Sequence, residues 1–257
     1  MINIKKFVLL IMCLILGVLF IGCSGTASKD NEIVLCNYYD MDIPDSVSFV
    51  SVDELNTALS MYAYALEIEE IKDYNDLTDA VVNEYIGYET VKELKEEALY
   101  NMIYHRVTDY VYEKLLTNSG VSLVDDRSFN DYYTRRLDLI EKMAKENEVD
   151  KLEYITNEYK ISESEYQESE LDFFITINLL KELLRRESYE VTDEDVKDKR
   201  AEYASEEDVS IDDTRLILLD EDIMYIIAEE RTYELISEWY EEEVERRFGI
   251  EKELLGI

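Results

Sequence analysis

Apolar positions along this chain follow two patterns. Phe7 to Gly22 is an uncharged apolar run of 16 residues behind Lys5 and Lys6. Farther on, apolar residues recur three to five positions apart, the period of a helix with one buried face. Val91, Leu94, Ala98, Met102, Val107, Val111 and Leu115 predict a long helix from Thr90 to Asn118, with Gly120 ending it. Tyr132, Tyr133, Leu137, Ile140 and Met143 share roughly one face of the stretch 128–148. Leu171 to Leu180 is apolar on nearly all sides and predicts a helix buried between other elements, and Ile223, Ile227, Tyr233, Ile236, Tyr240, Val244 and Phe248 mark a final helix over about 221–248.

Start signals agree with these periods. Ser51 precedes Asp53 and Glu54 at the head of a helix running to about Glu70, and Ser162 precedes the long apolar helix. Thr192 and Asp195 fit a capping-box-like start, although aspartate reaches back less well than glutamate. Short helices are predicted over 76–86 and 151–159. Pro44 is the sole proline, and only Gly87, Gly120 and Gly249 lie between Gly25 and Gly256. A sheet protein needs turn residues about every 8–12 positions, so the fold class is all-α. In residues 33–50 the spacing of Val47, Phe49 and Val52 still permits a strand.

The leading run ends in Leu19-Phe20-Ile21-Gly22-Cys23, the order of a bacterial lipoprotein export signal. An uncleaved membrane helix is the alternative, although spanning takes about 20 residues. Cleavage before Cys23 leaves 235 residues, room for a sizeable core or two modest domains. Cys23 becomes the lipidation site, and its two acyl chains suffice for stable anchoring at the outer face of the cytoplasmic membrane. Cys13 lies in the signal, so Cys36 has no partner for an internal disulfide. The expected organisation is a signal over 1–22, a tether over 23–42, a connector with one helix over 43–76 and a helical domain over 77–250.

The chain carries 61 acidic against 26 basic residues, a formal net charge of −35, and loss of Lys5 and Lys6 with the signal makes it −37. Such a surface repels nucleic-acid phosphates and anionic headgroups. With 47% hydrophobic residues and 21 tyrosines, the chain has enough to bury and reads as folded.

From Leu77 onward the order of segments resembles the C-terminal chaperone domain of trigger factor. The resemblance rests on Leu77-Thr78-Asp79-Ala80-Val81-Val82, on Gly87-Tyr88-Glu89-Thr90-Val91-Lys92-Glu93-Leu94-Lys95 before a long helix, and on Leu152-Glu153-Tyr154. Ile161-Ser162-Glu163-Ser164-Glu165-Tyr166, the long apolar helix and Val191-Thr192-Asp193-Glu194-Asp195-Val196 follow in the same order. It covers about 77–240, and its weight lies in the order of the segments, since runs such as Val191 to Glu194 also occur in parvulin-type foldases. It implies an elongated multi-helix body with arm-like hairpins on a long central helix, cradling unfolded or newly exported polypeptides. Only about six residues separate the connector from Asp76, too few for a prolyl isomerase domain, and the family's proline after the first arm is missing around Ser122 to Asp126. Isomerase activity and ribosome binding are therefore not carried over. Tyr132, Tyr133, Leu137, Ile140 and Met143 are the candidate client-binding residues, and the same stripe equally suits core packing.

Catalytic motifs are lacking. His105, the single histidine, lies between Tyr104 and Arg106 inside a long helix, where a structural or surface role is the simpler reading. The acidic run Glu206 to Asp213 lacks the glycine and ligand spacing of a calcium loop. No enzyme activity, cofactor, metal, nucleic acid or small-molecule substrate is expected. Two readings remain: a lipid-anchored, ATP-independent extracytoplasmic holdase, or a helical scaffold lipoprotein gripping one envelope partner. For the anchor, Cys23→Ala is expected to leave the precursor unprocessed or release the protein from membranes, followed by gel mobility and membrane fractionation. A normally sized, still membrane-bound product contradicts lipidation.

Overall fold

The computed structural model describes residues 33–68, 70–121 and 126–257, so Cys23 and the first part of the expected tether lie outside the described residues. The described chain is all-α apart from one small antiparallel ribbon, in which β1 (Ile33–Val34) pairs with β2 (Gly120–Val121), Ile33 opposite Val121. The helices are α1 (Asp45–Ser48), α2 (Val52–Ala65), α3 (Asp79–Val81, continued by a π turn over Val82–Ile86) and α4 (Val91–Asn118). After these come α5 (Asp126–Glu146), α6 (Lys151–Tyr154, continued by a π turn over Ile155–Tyr159), α7 (Glu163–Arg186), α8 (Asp193–Glu206), α9 (Ile211–Thr214) and α10 (Asp220–Leu255). Residues 33–50, open to a strand, contribute β1 at their start, while Val47 lies in the one-turn α1 and Val52 begins α2.

The chain forms two compact units, each built from separated stretches. One comprises 33–36 with Leu115–Thr232, the other Asn37–Lys114 with Tyr233–Ile257. The first unit has three apolar clusters. Ile140 and Ala144 of α5 meet Tyr154, Ile155 and Tyr166; Phe129 and Tyr132 meet Phe174; and Val196 meets Leu218, Ile223 and Ile227. In the second unit the buried side chains are Leu55, Leu59 and Ala63 on α2, Leu94, Ala98, Leu99, Ile103, Val107 and Val111 on α4, and Leu235, Ile236, Tyr240 and Val244 on α10. Leu99 and Ile103 widen the α4 stripe beyond the predicted positions, because that helix buries more than one side.

Residues 33–42, the described part of the expected tether, are partly packed. Leu35, Tyr38 and the following Ile43 are buried.

Helix starts follow the predicted chemistry. Ser51, Ser162 and Thr192 each accept from the backbone three residues on, while Glu54, Glu165 and Asp195 reach back to the cap N–H. The Asp195 bond to Thr192 N is 2.8 Å, so the shorter acid closes the box fully. The acidic break after α8 contains a further start, in which Ser210 and Asp213 cap α9.

Helix ends explain how so long a helical chain manages with so little glycine. Glu148, Ser188 and Asp208 all take left-handed backbone with φ between 53° and 63°. Around each, the next residue's N–H bonds the carbonyl five back: Val149 to Ala144, Tyr189 to Leu184 and Val209 to Ala204. These are Schellman caps with the usual apolar residue after the turn but without the usual glycine. An L side chain in that region costs about 1 kcal/mol. Accordingly Glu148→Gly and Ser188→Gly are each expected to raise stability by about 0.5–1 kcal/mol, and Tm by about 2–4 °C per kcal/mol, in thermal melts followed by circular dichroism.

Candidate functional site

The site is built in the second unit, where an extended N-terminal stretch crosses the last turns of α10. Tyr240 Oη donates to Tyr38 O at 2.8 Å and accepts from Met41 N at 2.9 Å, fixing the strap between them. Arg247 is 97% buried, its exposure being 3%. It donates to Pro44 O at 3.1 Å, to Ser48 Oγ at 3.0 Å, to Ile43 O, and through Nε to Glu243 at 2.7 Å. Buried guanidinium is tolerated only when its donors are occupied, and the strap carbonyls occupy them.

This arrangement leaves an open groove of about 770 Å³ lined by residues 39–43 and 45 and by Trp239, Tyr240, Glu242, Glu243, Arg246 and Arg247. Residues 239, 242, 243 and 246 fall at the spacing of a single helix face, so one side of α10 makes the wall. Tyr38, Tyr39 and Trp239 form a triangle of rings with centroids 4.5, 4.9 and 5.1 Å apart, the planes of Tyr39 and Trp239 meeting at 63°. Tyr38 is buried behind, Trp239 is half-buried and Tyr39 is 56% exposed.

Charge in the groove is unequally engaged. Arg246 holds Glu243 with two bonds of 2.8 and 2.7 Å, and this fork, followed by Arg247 and opposed by partial burial, lowers the Glu243 carboxyl to about 2. Arg246 and Arg247 share Glu243, and the remaining donors of Arg247 go to uncharged oxygens of the protein. Asp40, Asp42 and Glu242 have no ion pair or side-chain hydrogen bond among the described residues, and they leave the groove net negative. A smaller cavity of about 230 Å³ lies between Tyr100, Tyr104, Ser237, Glu238, Glu241 and Val244 in the same unit.

The residues expected to bind clients lie in the first unit and are engaged in packing. Tyr132 and Ile140 are fully buried, while Tyr133, Leu137 and Met143 are half-buried against the Ile140 cluster, Tyr133 also against Phe129 and Tyr132. Tyr132 Oη donates to Glu170 and accepts from Arg136 Nη2 at 3.1 Å. Arg136, buried in turn, donates to Glu170 at 3.1 Å and to Asp222 at 2.9 Å, with a second bond to Asp222. Burial opposes its charge, but the two carboxylates hold the guanidinium protonated. Burial also pushes the Tyr132 and Tyr166 phenols well above their ordinary range, and Tyr166 Oη is buried without a partner among the described residues. The network is enclosed and ties three helices of the unit together.

His105 is exposed on α4 against the Tyr104 ring. Among the described residues no cluster of three or more His, Cys, Asp or Glu is placed to hold a metal ion, and no helix is long and apolar enough to cross a membrane. The groove residues were missed by sequence reasoning because the strap reads as tether. The available signal was the single Trp239 on a face shared with Glu242, Glu243 and Arg246. Compared with protein-family models, curated proteins and solved structures, the chain matches none.

Since folded Glu243 has a lowered pKa, the folded state binds fewer protons than the unfolded chain. Its contribution is full above the ordinary carboxylate value near 4.5 and is lost as pH falls towards 2. Glu243→Gln should therefore lower the urea midpoint at pH 7, with a deficit that narrows between pH 4.5 and 2.

Proposed function

We propose that this chain is a lipid-anchored, extracytoplasmic, ATP-independent chaperone that holds unfolded or newly exported polypeptides, with a helical body of the trigger-factor C-terminal kind and no isomerase domain. The observation that carries the reading is the groove over Tyr39 and Trp239. It offers exposed aromatic area beside unengaged carboxylates, a surface suited to transient contact with extended chain. Tyrosine and tryptophan combine large apolar area with a polar edge, so they contact many sequences at low entropy cost.

Further exposed apolar residues in the same unit support the reading. Tyr64, Met61 and Leu254 are 80%, 71% and 70% exposed, and Met61 and Tyr64 share a face of α2. Methionine adapts its shape to varied partners. The strongly acidic remainder keeps a loaded complex soluble through charge repulsion.

The full chain in detergent micelles is expected to suppress light scattering by two unrelated proteins diluted from denaturant. Tyr39→Ser, at an exposed position, should raise the concentration needed for half suppression by about three- to tenfold, the effect of losing one aromatic anchor. Suppression of neither protein favours a scaffold for a single folded partner, to be sought by crosslinking.

A further inference from the structure

The groove has a corner made by two rings and a rim of carboxylates, and the combination selects a ligand chemistry. Tyr39 and Trp239 meet at 63° with centroids 5.1 Å apart. A cation is attracted to such ring faces by their quadrupoles, most strongly to tryptophan. Within the groove Arg247 is buried against strap carbonyls and Arg246 is held by Glu243. Asp40, Asp42 and Glu242 line the same groove without a counter-charge. Half-buried Met41 lies between the two aspartates on the strap and adds apolar lining.

We propose that this groove takes an arginine or lysine side chain of an extended polypeptide, its cationic head over the Tyr39–Trp239 corner within reach of Asp40, Asp42 and Glu242, and its aliphatic stem along Met41. The proposal rests on the polypeptide-holding reading and adds the feature that is recognised. Charge complementarity fixes the occupant. An anionic segment meets three unengaged carboxylates, and a purely apolar one leaves them beside desolvated surface. A basic residue instead satisfies the rings and the carboxylates together. A guanidinium suits the corner better than an ammonium because its plane stacks on rings and its fork reaches carboxylates.

The chain has a single tryptophan, so the intrinsic emission of Trp239 reports occupancy of this groove directly. The full chain in neutral detergent is titrated with three blocked nine-residue peptides that differ only at two central positions: Arg, Gln or Glu. The Arg peptide is expected to change Trp239 emission saturably. The Gln peptide should bind at least about tenfold more weakly and the Glu peptide not measurably. Raising salt from about 0.1 M to about 1 M, which shortens the screening length from about 10 to 3 Å, should weaken the Arg peptide severalfold. The double variant Asp40→Asn, Asp42→Asn, at exposed positions, should bring the Arg peptide to the level of the Gln peptide while leaving the circular dichroism unchanged.

Equal binding of the Arg and Gln peptides overturns the cation proposal and leaves the holdase reading standing. So does saturation by free argininamide as tight as by the Arg peptide, which makes the groove a small-cation site. Failure of all three peptides together with failure to suppress aggregation overturns both.

Discussion

Arginine burial against an excess of acid is the constraint on which the structure depends. With 26 basic residues against 61 acidic ones, most carboxylates can have no cationic partner, and the repulsion favours expansion. Three of the scarce cations are nonetheless placed inside: Arg136, Arg200 and Arg247 are 8%, 3% and 3% exposed. Each joins segments distant in sequence within its own unit. Arg136 ties α5 to Glu170 of α7 and Asp222 of α10. Arg200 holds Leu218 O at 3.2 Å and Asp220 at 2.8 Å, and so sets the entry to α10. Arg247 holds the strap. Exposed helix pairs such as Lys145–Glu141 contribute about 0–1 kcal/mol, whereas removing one partner of a buried, hydrogen-bonded pair costs about 3–5 kcal/mol. Arg136, whose partners Glu170 and Asp222 are largely buried with it, therefore outweighs the surface pairs, while Arg200 and Arg247 act mainly through the backbone carbonyls they bond.

That same constraint shapes the groove. An arginine buried by its own helix needs acceptors from elsewhere, and the strap supplies them with backbone carbonyls, which carry no net charge. The strap is consequently fixed over α10, with Tyr240 bonding it on both sides of the bend at Tyr39 and Asp40. Along it Tyr38 and Ile43 are buried, Met41 is half-buried, and Tyr39, Asp40 and Asp42 face solvent. The aromatic corner thus follows from the satisfaction of one buried guanidinium and one phenol.

The helical elements were legible where a single physical rule decides them. Periodicity located α4, α5, α7 and α10, and the hydroxyl caps at Ser51, Ser162 and Thr192 located three starts, since cap chemistry lies within four residues of sequence. Ends at Glu148, Ser188 and Asp208 were hidden because non-glycine residues occupy the left-handed position, so the only trace is the apolar residue that follows. The strap was illegible for a different reason. Its burial is enforced by Tyr240 and Arg247, about 200 positions away, and local composition cannot report such a partner. Periodicity correctly marked Tyr132 and Ile140 as one face of a helix but could not say whether that face is covered. Phe174 and the Arg136 network cover Tyr132, and Tyr154, Ile155 and Tyr166 cover Ile140.

Net charge alone is a poor guide to what this surface attracts, because its acids fall into two groups. Glu54, Glu165, Asp195 and Asp213 close helix caps, and Glu182 and Glu243 hold arginine forks. Glu54 and Glu182 are both lowered to about 2, the first chiefly by the Ser51 backbone and the second chiefly by Arg185. Glu54, Glu182 and Glu243 are paired with arginines, which offsets their charge, whereas Glu165, Asp195 and Asp213 accept from neutral hydroxyl and backbone donors and keep theirs. Asp40, Asp42 and Glu242 have no ion pair among the described residues and stand beside exposed Tyr39 and half-buried Trp239. A positively charged segment that reaches the groove meets these three carboxylates together with the Tyr39 and Trp239 rings, a combination that an isolated surface carboxylate does not offer.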